Sequence, residues 1–426
     1  MILLVKSLLQ PRILRFIIAA SLLLFYTSLA FVSDKTKLEG DEIRYVYDAQ
    51  NLMRGEFGQI GKRQFIAGPG YGILLIPFAK PEAWILGRCM NALYIALAMW
   101  FLFGLVQRWA NTAWAAVASV AIGTHPSIVK WVPSLLSEPL SLLCVTSLMM
   151  CLERVFQTPT RNWKWIALAG LFFGWLILTR VLFGYVAMIL LGGAAVFAVV
   201  HVSWRRAWVH MALICCIALS LCLPYLMYTH TQTGRFPCWS TIGGEMLYWM
   251  TSTREGECGS WMDEREIPKR TELAGHLEVY SKVFTKPGSE MDTALTALAM
   301  KQFSENPKGV FYNWLCNHMR LWFGFPRSFQ VEDLTRGIYF FWNGPLLLML
   351  LTCLLVGWRQ LLRLGVLPTV LLTLAAIYYG GSSLAAGQPR YIVVILPILW
   401  FWVAVAGTRW FKFEVKNDNN LSVDEE

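Results

Sequence analysis

Charge is what this chain has least of. Of its 426 residues only 15% are Asp, Glu, Lys or Arg, against 56% hydrophobic residues, and the mean hydropathy is +0.48. So few charges cannot cover a water-soluble fold of this length, which excludes a soluble globule. Histidine is scarcer still, 6 in all, and His125, His230, His276 and His318 show no metal-ligand spacing, which argues against a zinc centre. There is no fixed-period repeat, heptad run or low-complexity tract, so solenoids and coiled coils are excluded as well. The excess of 37 bases over 27 acids is not gathered as a basic stripe on one soluble face, which argues against nucleic acid as a partner.

Long apolar runs are what the chain has in abundance. Stretches able to cross about 30 Å of hydrocarbon fall near residues 13–32, 84–107, 113–132, 139–153, 164–179, 182–202, 208–228, 338–357, 364–383 and 391–411. The fold class expected is an all-α polytopic membrane protein of about ten transmembrane helices. The stretch opening near Pro139 is short, and the pair around Arg180 also reads as one long interrupted span. Residues 1–32, with Ser28-Leu29-Ala30, could be read as a signal peptide, but the apolar run exceeds a typical h-region and an uncleaved first helix keeps the charge parity.

Orientation follows from the bases. With the N-terminus inside, the inner loops and tails collect Lys6, Arg12, Arg15, Arg108, Arg154, Arg205, Arg206, Arg359, Arg363 and Arg409, while the short outer turns hold only Lys130, Arg180 and Arg390. The net charge of +10 is therefore mainly a topology signal and a match to anionic membrane lipid. The expected organisation is an N-terminal membrane module, 1–228, carrying an outer loop at 33–82; a large outer loop, 229–337; C-terminal membrane helices, 338–411; and a polar cytoplasmic tail, 412–426, expected to be disordered.

The acids narrow the chemistry further. Apart from Glu138, Glu153 and the tail, every Asp and Glu falls in one of the two outer regions, so general acid or base work belongs on the outer face. Asp41 and Glu42 form a pair about ten residues beyond the first span, at the depth just above the hydrocarbon. Glu138, Arg180 and Arg390 stand near outer helix ends, where an ionisable residue costs several kcal/mol unless paired or facing a wet cavity. The blander reading is an interfacial charge reaching out to water, which suits an arginine better than a glutamate.

Local pattern adds detail. Ile43, Val46, Tyr47, Gln50, Leu52 and Met53 recur at helical spacing, which predicts a short amphipathic helix at the interface, with Asp41 placed to cap it and Gly55 to end it. Gly68-Pro69-Gly70-Tyr71-Gly72 leads into Ile73–Phe78, too short to cross and so re-entrant or interfacial. In the large loop, Ser289-Glu290 predicts the cap of a helix to about Ser304, and Asn306 caps another with Pro307 at its first position. Trp314, Leu321, Trp322, Phe323 and Phe325 suit a surface lying in the interface, and 231–270 reads as an irregular lid. Most of the 10 cysteines read as packing residues; Cys238 and Cys258, in one outer loop, are expected to be bridged, with Cys316 as competitor.

Taken in order, Asp41-Glu42-Ile43-Arg44-Tyr45, Gly68-Pro69-Gly70-Tyr71, Ser137-Glu138-Pro139-Leu140, Leu178-Thr179-Arg180, Asn306-Pro307 and Pro389-Arg390-Tyr391 resemble the polytopic GT-C glycosyltransferases. The nearest branch holds the protein O-mannosyltransferases and the bacterial aminoarabinose and lipopolysaccharide-core sugar transferases. The resemblance implies a polyprenyl-phosphate sugar donor, inverting transfer to a glycan, lipid or protein, and a site on the outer face of a bacterial inner membrane. It assigns Asp41 as general base with Glu42 as neighbour or metal contact. The expected substrate-binding residues are Arg44, Tyr45, Tyr71, Glu138, Arg180, Arg320, Arg390 and Tyr391. A divalent cation, Mg or Mn, is left open with no ligand set. The chain is shorter than the full protein O-mannosyltransferases and lacks their soluble insert, so the acceptor does not carry over. The rival readings are a transporter or lipid flippase, which would favour repeat symmetry and broken helices at mid-membrane, and a polysaccharide polymerase or ligase with a lipid-linked donor.

Overall fold

The computed structural model describes residues 10–33, 37–58, 64–157, 162–200, 202–329, 337–385 and 387–410, and every regular element among them is helical. In chain order these are α1 (Pro11–Val32), α2 (Asp41–Leu52), α3 (Gly70–Leu75), α4 (Trp84–Trp109), α5 (Thr112–Gly123), α6 (Pro126–Trp131), α7 (Glu138–Gln157), α8 (Trp163–Thr179), α9 (Leu182–Val200) and α10 (Arg205–Thr233). The large loop contributes α11 (Gly243–Thr251), α12 (Gly288–Glu305) and α13 (Pro307–Phe323), and the chain continues with α14 (Ile338–Gly357), α15 (Val366–Ser383), α16 (Pro389–Val393) and α17 (Leu396–Trp410). The expected C-terminal tail lies outside the described residues.

Among the described residues, seven helices are long and apolar enough to cross a membrane, by length and composition: α1, α4 with its leading turn from Pro81, α7, α9, α10, α14 and α15. The other three expected spans come out shorter, each for a local reason. The run 113–132 breaks after Gly123, where His125 accepts a hydrogen bond from the Ser127 N–H at 3.2 Å and Pro126 opens α6. The run 391–411 divides into α16 and α17. The stretch before Arg180 is the 17-residue α8, and the backbone turns extended at Arg180 (φ −131°, ψ 90°), so the ambiguous pair is two helices.

Helix packing uses small residues, as expected where lipid supplies no hydrophobic drive between helices. Gly170-Leu171-Phe172-Phe173-Gly174 lays α8 against α10: a Cβ at Gly170 would meet Ile217 at 2.5 Å, and one at Gly174 the Ala218 carbonyl at 3.0 Å. At the end of the bundle away from Asp41, Arg108 grips Glu153 with two hydrogen bonds, 3.0 and 2.5 Å, and Trp109 adds a third at 2.8 Å.

The stretch 231–270, expected to be an irregular lid, carries helix α11 and joins the packing of the large loop. That loop holds its own core of Tyr248, Trp249, Ile267, Leu273, Phe284, Met291 and Leu295. Beneath it His276 joins the Tyr248 hydroxyl to the Glu257 carboxylate, both contacts at 2.6 Å. Asn306 caps α13 as expected, accepting from Gly309 N–H at 2.9 Å with Pro307 following, whereas α12 starts without a side-chain cap, Pro287 preceding it. The expected interfacial run is turned the other way: Leu321, Trp322 and Phe323 are buried, and Phe311, Tyr312, Leu315 and Met319 are exposed. The expected Cys238–Cys258 bridge is absent; both are free thiols, Cys238 buried where its sulfur faces the Ser240 carbonyl at 3.7 Å.

Candidate active site

Helix α2 is built around an inward-facing polar side. Glu42, Tyr45, Asp48 and Asn51 are buried, while Ile43 and Tyr47 are exposed, the reverse of a helix resting on a watery surface. Gly40 occupies the N-cap with φ 54°, and Asp41 is the first helical residue with no side-chain cap bond. Its carboxylate reaches instead to Arg390 Nη1 at 2.6 Å and to Arg44 Nη1 at 3.3 Å. The capping role expected of Asp41 is therefore replaced by ion pairing.

Four separate parts of the chain meet here. Arg180, at the end of α8, holds Glu138, at the start of α7, at 2.7 Å. The approach of the first outer loop to Arg180 depends on glycine: a Cβ at Gly68 would stand 2.1 Å from the Leu178 carbonyl oxygen, and one at Gly70 2.8 Å from the Leu178 carbonyl carbon. Only a residue without a side chain allows that contact. Arg390 lies above the ring of Tyr391 at 5.5 Å and Arg44 above that of Tyr45 at 4.8 Å, which holds both guanidinium planes. The Tyr45 hydroxyl pairs with Ser137 at 2.8 Å, tying α2 to the turn that precedes Glu138.

Two expected residues serve as floor. Tyr71 is buried edge-on to Tyr45 at 5.0 Å and donates to Asn91, whose amide in turn holds the Ser134 carbonyl at 2.7 Å. Glu42 turns inward, accepting from Leu135 N–H at 2.8 Å and facing Arg88 at 3.8 Å, a buried brace between α2, α4 and the 132–137 turn. Arg320 stands apart from the cluster: its guanidinium is taken by Asn317 Oδ1 and the Pro326 carbonyl, and burial pushes its pKa down to about 10. Among the described residues no group of three or more His, Cys, Asp or Glu is disposed to hold a metal ion.

The electrostatics separate the two aspartates of α2. Burial pushes the Asp41 carboxyl up, but Arg44, Arg390 and Arg180 outweigh it and hold Asp41 below its ordinary value. Asp48 has burial as its dominant influence, only partly offset by Arg44 and the Gly58 backbone, and is pushed up to about 6. Three guanidinium groups, Arg44, Arg180 and Arg390, face the carboxylates of Asp41 and Glu138, and Asp48 also acts on Arg44. Arg88, Asn91 and Asp48 went unnoticed in the sequence. A lone arginine inside an otherwise apolar span was the signal for Arg88; nothing in the pattern marked the other two.

Residues 84–228 match the family described as dolichyl-phosphate-mannose-protein mannosyltransferase. Among curated proteins nothing matches. The chain is similar to a solved structure of ArnT from Cupriavidus metallidurans bound to undecaprenyl phosphate, at 17% identity and TM-score 0.42, over 91% of this chain and 77% of that one. The same protein in the apo state gives 16% identity and TM-score 0.39, over 89% and 76%. From α4 to the end of α10, the stretch that supplies Glu138 and Arg180, this chain is thus similar to the dolichyl-phosphate-mannose-protein mannosyltransferases.

Proposed function

We propose that the protein is a membrane glycosyltransferase that moves a sugar from a polyprenyl-phosphate carrier to an acceptor hydroxyl on the outer face of the membrane, with inversion at the anomeric carbon. The observation that carries this reading is the convergence of Asp41, Arg44, Glu138, Arg180 and Arg390 from remote parts of the chain at one end of an apolar bundle. The donor class is supported by the family matched at 84–228, whose description names a dolichyl-phosphate sugar. The outer placement rests on the alternation of basic loops.

The charges suit the reaction. A polyprenyl-phosphate sugar is a phosphodiester with one negative charge, which the guanidinium groups of Arg180 and Arg390 can receive. As the acceptor oxygen bonds to the anomeric carbon, the bond from that carbon to the phosphate oxygen breaks, and the leaving carrier becomes a phosphate monoester with a second charge. Arg390 and Arg180 are the groups to stabilise it, since a guanidinium fork fits phosphate oxygens in pairs. The acceptor proton goes to Asp41.

Asp41 in its present ion pairs is a weak base, because its two arginine partners favour the ionised form. A donor phosphate that draws Arg390 and Arg44 to itself weakens those pairs and raises the proton affinity of Asp41. The base is thereby activated only when the donor is in place, which guards the carrier against loss of sugar to water. Glu138 keeps Arg180 oriented from the opposite side.

The test is a purified protein offered a synthetic polyprenyl-phosphate monosaccharide or the matching nucleotide sugar. Transfer from the lipid-linked donor alone supports the reading, and turnover of the nucleotide sugar alone overturns it. Mass spectrometry of surface glycans in a deletion strain identifies the acceptor. For the outer placement, reporter fusions after Arg206 and Arg359 should report the cytoplasm; an exterior signal at either reverses the topology.

A further inference from the structure

At the end of the bundle opposite the acidic and arginine cluster lies a cavity of about 510 Å³. Trp114 of α5, Leu348 and Met349 of α14, and Val403 and Gly407 of α17 form its apolar walls, with Asn111 at its polar edge. The cavity has a structural origin. Near their ends α14 and α17 are pinned so closely that a Cβ at Gly357 would stand 2.0 Å from the Trp410 ring. Before that pin the helices part, and Gly407 presents no side chain toward Trp114, whose ring lies 3.4 Å from where its Cβ would be.

Depth and surroundings say what fills it. The α14 lining lies four to nine residues before Gly357, or roughly 6 to 14 Å along the axis at 1.5 Å per residue, which is the depth of acyl chains in one leaflet. The outer face of α14 beside it is strongly apolar and open, with Leu348, Leu351, Leu355 and Val356 exposed, so a chain can enter from the bilayer. A volume in this range takes one small ligand or lipid chain.

The rim is cationic. Arg359, Arg363 and Arg409 are exposed at this end. Arg409 donates to the Leu364 carbonyl at 2.9 Å and lies over the Trp109 ring at 5.9 Å, two residues before Asn111 of the cavity edge. The acid nearest these groups in the described bundle, Glu153, is committed to Arg108 and Trp109. A zwitterionic headgroup gains little from such a rim, whereas an anionic one is attracted to each arginine near the surface.

We infer that the cavity between α5, α14 and α17 binds one acyl chain of an anionic glycerophospholipid, whose headgroup rests against Arg363 and Arg409. This site is separate from the proposed donor site and holds whatever the sugar chemistry proves to be. Its consequence is structural: Leu350 and Cys353 of α14 pack on the bundle at this height, and the lipid fills the gap left beside them.

The experiment uses the full-length protein in vesicles containing phosphatidylglycerol with a photoreactive group at mid-chain, and maps crosslinks by mass spectrometry. Crosslinks should concentrate at 348–353 and 403–408, and the matching phosphatidylcholine probe should label these positions about tenfold less. Thr352→Trp, which fills the cavity, should lower the labelling about tenfold, and the paired change Arg363→Gln with Arg409→Gln should erase the preference for the anionic probe. Labelling spread evenly over the exposed face at Leu351 and Leu355 would overturn the inference, as would equal labelling by the two probes in the unaltered protein.

Discussion

Helices α2 and α13 share an inverted pattern and use it differently. Each turns several polar residues inward beside apolar ones and leaves other apolar residues exposed: Glu42, Tyr45, Asp48 and Asn51 against Ile43 and Tyr47 in α2, Asn313, Asn317 and Arg320 against Phe311, Tyr312, Leu315 and Met319 in α13. In α13 the inward groups close on the chain itself. Asn313 holds the Met250 and Ser252 carbonyls at 3.0 and 2.7 Å, and Arg320 is satisfied by Asn317 and Pro326. In α2 the charges at the rim, Asp41 and Arg44, meet side chains that a second anion can claim. Buried polarity is structural where neutral carbonyls satisfy it, and it becomes chemistry where only exchangeable charges do.

That contrast breaks most sharply at Asp41. Asp41→Asn keeps size and removes the charge proposed to receive the proton, so transfer should fall roughly a hundredfold or more while protein level holds. Full activity in that variant would leave Asp41 a mere partner for its arginines. Next in size is Arg390→Lys, which retains the charge and loses the fork; transfer should drop about tenfold, chiefly through weaker donor use. A lysine variant that performs as well as the native arginine would assign Arg390 to interfacial charge.

The opposite arm of the comparison is Arg320→Met. Removing a satisfied buried group leaves the Pro326 carbonyl without its donor and Asn317 Oδ1 with only the Gly387 N–H at 3.3 Å, which should cost about 1 to 3 kcal/mol of stability in thermal melts. Transfer per folded molecule should stay within about twofold. A selective collapse of activity with an unchanged melt would move Arg320 into the site.

The smallest effect concerns Asp48. Its folded pKa, about 6, lies above the ordinary 3.8, so the native state binds its proton more tightly than the unfolded chain. Stability linked to Asp48 is therefore fully present below about pH 4 and lost as pH rises through about 6, an amount of at most about 3 kcal/mol. Asp48→Asn should flatten this fall and raise the melting temperature at neutral pH. Identical pH profiles for the two proteins would show that Asp48 carries no such burden.

Much of the architecture was legible because hydrocarbon thickness demands long apolar runs, and those runs stand out whatever the tertiary arrangement. Asn306-Pro307 was readable for the same kind of reason: an N-cap acts within its own turn. The direction in which a short helix faces was not. Ile43, Tyr47 and their neighbours have the spacing of a surface stripe, and so do the inward residues, because periodicity marks two faces without saying which one meets lipid. The roles of Trp322 and Phe323 were misplaced on that account.

By itself the sequence indicated an all-helical membrane protein, with most of its acids outside the apolar runs and Glu138, Arg180 and Arg390 near helix ends. Only the tertiary structure decided which charges meet. Asp41 and Arg390 are separated by 349 positions and joined at 2.6 Å, a pairing that depends on Gly68 and Gly70 lying against the backbone at Leu178 and on Tyr45 fastened to Ser137. Local propensity acts over one or two turns of helix, whereas the reach of a side chain to its partner is set by the packing of every helix between them.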